Sequence, residues 1–304
     1  MSSTILLGDG VDHPLPLGHL SAGSRRRRSV PARLTVTLER LDGRLPEQHG
    51  PALRAGVLGA VRRVDPCLSA WMHRTGGGPD RQRPYALTPI HSVGGDPVFV
   101  VRLVAPDDAR ASPPDGPAGW SCLELARVVS GAVSALDGSG PDRCLRVGGG
   151  LFAVASIAAE VVPYAHLLVA DDRREWTLRL RSPTTRRIAS PDAGRRTLLL
   201  PSSEVVFQVL ARRWERGGGP PLRGAATAGS AVEVVEVDLR SVPYLVKGPD
   251  VFLAGCVGSV TYRAVAGPAD DSAGSAAVSA LVRFAAFAGV GDETPVGMGW
   301  VEPV

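Results

Sequence analysis

His73 is the residue best placed to move a proton. It closes a short helical stretch, Leu68 to His73, just ahead of Thr75-Gly-Gly-Gly-Pro-Asp-Arg-Gln-Arg83, which its glycines and proline confine to a loop. An imidazole with an unperturbed pKa of ~6.5 can accept or donate a proton near neutral pH. Arg81 and Arg83 could neutralise an anion beside it, and Tyr85 could stack a base or donate a hydrogen bond. A second group lies further on, where Arg186-Arg187 follows a strand and Gly289, Gly291, Gly297 and Gly299 punctuate the C-terminal end. A loop of bare amides between a helix and a strand can approach a phosphate chain closely. Each group also has a plainer account: a helix C-terminal cation, solvated loop arginines, a buried strand tyrosine, a turn that only reverses the chain.

The elements that must hold these residues follow from hydrophobic period. Arg33 to Leu38 alternates, with Leu34, Val36 and Leu38 on one face of a strand. Gly50 to Val64 has helical spacing through Leu53, Val57, Val61 and Val64, and Asp65-Pro66 stops it. Strands follow at Pro84–Ile90 and Pro97–Ala105, then a helix over Ala118–Leu136 through Leu123, Ala126, Val129, Val133 and Leu136, then strands at Cys144–Val147 and Leu151–Ile157. The order then repeats: a strand at Glu175–Leu180, a helix over Pro201–Trp214, long β segments at Val232–Leu239 and Val251–Val265, and a helix over Ser275–Ala288. Val234-Val235 breaks the alternation where a bulge would sit. Gly289 caps the last helix, and a short strand ends the chain. Two β-α-β-β-α-β blocks describe an α+β protein of tandem ferredoxin-like domains, expected at residues 32–172 and 173–304. Residues 1–31, ending near Arg25-Arg26-Arg27-Arg28, are expected to form a disordered basic extension.

Several stretches, taken in order, carry a resemblance. The terminal pattern Val282-x-Phe284-x-x-Phe287-x-Gly289-Val290-Gly291-x-x-Thr294-x-x-Gly297-x-Gly299 resembles the glycine loop of the repeat-RNA-processing endoribonucleases of CRISPR systems, members of the RAMP superfamily. Leu53-Arg54-Ala55-Gly56 through Asp65-Pro66 to His73 resembles that family's first helix and the approach to its catalytic histidine. Arg83-Pro-Tyr-Ala-Leu-Thr-Pro-Ile90 resembles the strand that follows. In the second block Leu178 to Arg186, with Ser182-Pro183-Thr184, and Pro201 to Arg213-Trp214 resemble the corresponding strand and helix. The resemblance implies a RAMP-type, RRM-like fold and metal-independent cleavage of the repeat in precursor CRISPR RNA. In that chemistry the ribose 2′-hydroxyl attacks phosphorus and leaves a 2′,3′-cyclic phosphate and a 5′-hydroxyl. It implies His73 as catalytic residue, with Arg81, Arg83 and Tyr85 beside it. Arg54, Arg186, Arg187, Gly289, Gly291, Thr294, Gly297 and Gly299 become the expected RNA-binding residues. Two departures stand out: Leu58 occupies the position nearest to a first-helix tyrosine of some members, and Asp292-Glu293 lies where basic residues are frequent. His49, just before the first helix, is a second-choice acid or base, while His13, His19, His91 and His166 receive no role.

Composition bounds the function. A net charge of +4 suits a polyanionic partner, and Lys247 is the only lysine among 34 basic residues. The four cysteines are dispersed, so no metal site is expected, and no Walker or dinucleotide motif calls for a cofactor. No apolar run approaches the ~20 residues needed to span a bilayer, and no signal peptide is evident, so a cytoplasmic protein is expected. The expected partners are precursor CRISPR RNA and other CRISPR effector subunits, with monomer and homodimer both open. A non-catalytic guide-RNA-binding subunit and a ferredoxin-like small-molecule enzyme are the other readings.

Overall fold

The computed structural model describes residues 4–6, 30–74, 83–104, 121–169, 172–190, 194–248, 250–265 and 272–304. Its first sheet contains β1 (Thr4–Leu6) and β2 (Ala32–Asp42), which leads into α1 (Gly50–Val64) and α2 (Pro66–Arg74). There follow β3 (Tyr85–Leu87), β4 (His91–Val93), β5 (Asp96–Leu103), α3 (Cys122–Ser134), β6 (Leu145–Val147) and β7 (Gly150–Val161). Its spine runs β7-β2-β5-β3, all antiparallel, with the first and third strands of the block at the centre. That is the ferredoxin-like order, in which each β-α-β crossover leaves room for one antiparallel strand between its ends. Within the stretch expected to be unordered, Thr4–Leu6 instead adds an edge strand on β7.

After α4 (Tyr164–Leu167), the second block runs β8 (Glu175–Thr184), the hairpin β9 (Arg186–Ser190) and β10 (Gly194–Leu198), and α5 (Ser203–Arg216). Then come β11 (Val232–Lys247), β12 (Val251–Ala264), α6 (Ser272–Ala288) and β13 (Val301–Pro303). Its sheet order, β11-β12-β8-β13, repeats the same plan. The register of β11 on β12 slips between Val234 and Glu236, where the broken alternation placed a bulge. Each sheet has its own core; Tyr164 and Leu167, ahead of the expected boundary at 172, pack into the second. No helix among the described residues is long and apolar enough to cross a membrane.

Helix phases depart from expectation in two places. Val64 shares the buried stripe's angle on α1, but it sits in the last turn and is exposed; Leu58, on the side facing α2, is buried instead. Leu123 is exposed because α3 starts later than expected. Ser121 is the N-cap, its hydroxyl accepting from the Glu124 amide while the Glu124 carboxylate accepts from the Ser121 amide. Cys122, Leu125, Ala126, Val129 and Val133 therefore form the buried face. Ala277, Leu281, Phe284, Ala285 and Ala288 of α6 are buried as spaced, and so are Val278, Val282 and Phe287. The reason is position: α6 lies between its own sheet and the first block, with the Arg33 guanidinium 5.0 Å from the Phe287 ring centre.

The two blocks meet where α1 begins. The Tyr244 hydroxyl donates to the Val296 carbonyl at 2.8 Å, and a Cβ at Gly50 would overlap that same oxygen. The backbone of α1 thus touches the turn after the glycine loop directly. Gly50→Ala should lower stability by about 2–3 kcal/mol through overpacking. Gly59→Ala, at a helical glycine with nothing within 4 Å of a new Cβ, should raise it by about 0.5–1 kcal/mol. Thermal unfolding of the two variants checks both signs.

Candidate active site and nucleic-acid interface

α2 carries His73 because its other face is anchored. The Asp65 carboxylate accepts from the Leu68 amide at 2.8 Å, and the Ser69 hydroxyl donates to the Leu58 carbonyl at 3.0 Å. Leu68, Trp71 and Met72 are buried, which turns His73 to solvent. A groove of about 610 Å³ runs between α1 and α2, lined by Ala55, Leu58, Gly59, Arg62, Ser69 and His73 among others. The His73 pKa is lowered from 6.5, first by partial loss of solvation and then by the charges of Arg54 and Arg83. The imidazole is therefore mainly neutral at pH 7 and able to accept a proton.

Arg54 projects from α1, and its Nε donates to the Tyr85 hydroxyl at 3.0 Å. Its Nη2 is buried and has no hydrogen-bond partner among the described residues. Tyr85 is buried, so it cannot stack a base; it aims Arg54 instead. His73, Arg54, Arg83 and Tyr85 are thus brought together, while Arg81 lies outside the described residues. Arg62 was not singled out from sequence, although Ala55, Leu58, Gly59 and Arg62 form a stripe at helical spacing.

His49 is not an acid or base for chemistry. Its Nδ1 lies 2.9 Å from the Pro46 carbonyl and its Nε2 accepts from the Ile90 amide at 2.8 Å, so both ring nitrogens are used and the tautomer is set. It ties the start of α1 to the β3–β4 segment. Burial is the main cause of its lowered pKa.

The glycine loop faces inward. Amides of Gly289, Val290, Asp292 and Gly299 donate to the carbonyls of Ala285, Gly299, Thr185 and Pro183. The Trp300 amide donates to the Ser182 hydroxyl at 2.9 Å, which gives the Ser-Pro-Thr segment its purpose. Gly291, at φ 84°, lies so close to Thr185 that a Cβ would overlap its carbonyl oxygen. Thr294 and Gly297 are buried in the following 3-10 turn, and the Gly297 amide donates to Thr294. The expectation that bare amides here await a phosphate chain is not met by these donors.

Arg186 and Arg187 are also engaged. Arg186 Nη1 donates to Asp292 and Arg187 Nη2 to Glu293, each at 2.6 Å, and the Arg187 amide donates to Asp292 at 2.8 Å. The two carboxylates that looked out of place pin the β9 strand to the glycine loop. Behind them Arg213 of α5 donates to the carbonyls of Ala288, Gly289 and Gly291 at 2.7–2.8 Å. Burial lowers its pKa to about 10. Arg102, fully buried on β5, donates to the Leu87 carbonyl at 3.3 Å and approaches Gly289; burial lowers its pKa to about 9. An arginine inside the apolar run Val98-Phe-Val-Val-Arg102-Leu was the available signal.

With this geometry in view, residues 178–301 match the family described as CRISPR-associated endoribonuclease Cas6. That match covers most of the second block. The fold is similar to that of solved Cas6 structures: a Cas6 product complex aligns with a TM-score of 0.67 and 25% identity, over 90% of this chain and 99% of that one. Another Cas6 product complex aligns at 0.70 with 19% identity, over 91% and 100%. A Thermus thermophilus Cas6 aligns at 0.60 with 18% identity, over 91% and 99%. A RAMP protein binding different RNA substrates aligns at 0.55 with 16% identity, over 90% and 99%. No curated protein matches the sequence.

His49 generates a pH prediction. Its folded pKa lies below the unfolded 6.5, so the unfolded chain binds the extra proton more readily. Its contribution to stability is complete above pH ~6.5 and is lost as pH falls toward the folded pKa. Melting temperature should fall from pH 7 to 5.5 in the wild type, and the fall should be shallower in His49→Gln.

Proposed function

We propose that the chain is an endoribonuclease that cuts the repeat of precursor CRISPR RNA without a metal ion. The observation that carries this reading is a solvent-facing imidazole, held neutral beside Arg54 and Arg83, at the mouth of a groove in a protein whose fold is similar to that of solved Cas6 structures. His73 removes the proton from a ribose 2′-hydroxyl. The 2′-oxygen attacks phosphorus, the bond from phosphorus to the 5′-oxygen breaks, and the departing oxygen takes a proton from water. Arg54 and Arg83 offset the charge that builds on the non-bridging oxygens. Arg54, with its Nε fixed by Tyr85, is held beside His73 before RNA arrives.

RNA binding through the second block is assigned to Arg186 and Arg187 as a surface that must exchange carboxylate partners for phosphate. The glycines Gly289, Gly291, Gly297 and Gly299, together with Thr294, shape that surface from beneath. A division into a catalytic and a binding unit fits this assignment, with the boundary ahead of α4, whose Tyr164 and Leu167 pack into the second core, and not at residues 172 and 173.

His73→Ala should lose about 10²–10⁴-fold in cleavage rate, the range for a general base, and keep its affinity for the repeat RNA encoded beside its gene. Wild-type cleavage should persist in chelator and give 2′,3′-cyclic phosphate ends. Its kcat/KM should rise with pH and level off above about 6.5. A His73→Ala protein that cuts at the wild-type rate contradicts the assignment, and wild-type protein that binds but never cuts indicates a guide-RNA-binding subunit.

A further inference from the structure

The groove between α1 and α2 is longer and roomier than proton transfer at His73 requires. Its two helices run antiparallel: Asp65 alone separates them, the Ser69 hydroxyl reaches the Leu58 carbonyl, and His73 lies beside Arg54. Side chains that can donate hydrogen bonds therefore stand at its ends. His73 is at one and Arg62, next to the turn, is at the other, both exposed. From Ala55 to Arg62 the α1 wall is about 10 Å long, at ~1.5 Å per residue. Between these ends Ala55, Gly59 and Ala70 give a small, apolar lining, and the hydroxyl of Ser69 is already donated to Leu58.

Gly59 is the residue that the fold itself does not explain. A glycine inside a helix weakens it relative to alanine. Gly56, one turn earlier, has an internal reason, because a Cβ there would come within 2.6 Å of the Leu145 Cδ1 atom on β6. Around Gly59 nothing lies within 4 Å of a Cβ. Gly131 on α3 is equally unencumbered but faces solvent, whereas Gly59 is half-buried in the groove wall. The missing Cβ leaves room for something the chain does not supply. A volume of about 610 Å³ suits a small organic group, and such sites are mainly apolar with a few polar atoms fixing orientation. A phosphate chain would need charge along the groove, and charge is found only at its ends. A flat ring with polar edges matches both regions, and an unstacked base of single-stranded RNA is such a ring.

We propose that the groove receives one unpaired nucleobase adjoining the scissile linkage, with Gly59 giving it room and Arg62 holding its far edge. The faces of the ring lie against Ala55, Gly59 and Ala70, and its ribose stays at the mouth. A base seated in this way fixes the sugar and phosphate where His73 and Arg54 act, which is how orientation contributes to rate. Gly59 and Arg62 are thus positioning residues that touch no reacting atom. The inference rests on the cleavage reading for where the linkage lies, and on the groove alone for what fills it.

Repeat RNA carrying the fluorescent base 2-aminopurine, moved one position at a time, tests it, because that base brightens when it leaves a stack. On full-length wild-type protein one position should brighten, and it should adjoin the cut. Leucine is a better helix former than glycine, so Gly59→Leu should fold and melt no lower than the wild type while filling the groove. It should abolish the brightening and slow single-turnover cleavage by about tenfold or more. Removing that base from the RNA should slow the wild type to a similar extent and leave Gly59→Leu unaffected. Gly131→Leu, a control away from the groove, should change neither readout. Wild-type protein that cuts while no base beside the cut brightens overturns the proposal. So does brightening that survives Gly59→Leu, or a base removal that slows that variant as much as the wild type. One base that brightens only when Gly59 is present, on protein that never cuts, upholds the groove as a base site and removes the cleavage reading instead. Neither brightening nor cutting overturns both.

Discussion

Arg213 holds the end of α6 by three carbonyls, and the rest of the structure is arranged from that point. The C-terminus of a helix carries partial negative charge and leaves carbonyls unpaired, so a guanidinium there satisfies both at once. With Ala288, Gly289 and Gly291 fixed, the chain crosses Thr185 and returns along Ser182 to Thr184. The turn that follows presses Val296 against Gly50 and Tyr244. Gly50 begins α1, and one turn later α1 presents Arg54 to Tyr85. A guanidinium in the second block is thereby linked, largely through backbone contacts, to the side chain beside His73.

This arrangement assigns the glycines a different task from the one their amides suggested. They bring main chain to main chain at distances that a Cβ would forbid, and the hydrogen bonds they release are spent inside the protein. Charge in this region is likewise matched internally, Arg186 and Arg187 against Asp292 and Glu293. Arg102 differs: among the described residues its buried Nε and Nη1 have no hydrogen-bond partner, and it lies beside Gly289. A buried guanidinium with unmatched donors costs free energy, and burial lowers its pKa only to about 9, so it remains charged at neutral pH.

Much of this fold was legible because each strand and helix keeps its own period. α1 spans the residues that its stripe marked, and even the bulge in β11 is where two adjacent valines break the alternation. What failed were inferences from one residue to its surroundings. The glycine spacing was visible, but whether those amides look outward depends on Thr185 and Pro183, over a hundred positions away in the chain. Asp292 and Glu293 read as a departure from a basic pattern because their partners on β9 cannot be seen from sequence. His49 was weighed for chemistry because nothing local shows that Ile90 occupies its second nitrogen. Arg83 could be expected near His73 because it is close in the chain, whereas Arg54, expected only to bind RNA, is brought beside it by the packing of α1 on α2.

The central claim is that the glycine loop is a brace already closed in the free protein. Amide hydrogen exchange of Gly289, Val290, Asp292, Gly299 and Trp300 without RNA tests it most directly. Slow exchange in the wild type, together with fast exchange at the same amides in Arg213→Met, is the predicted result. Fast exchange in the free wild-type protein, slowed only when RNA is added, would show that the amides await phosphate and would contradict the account.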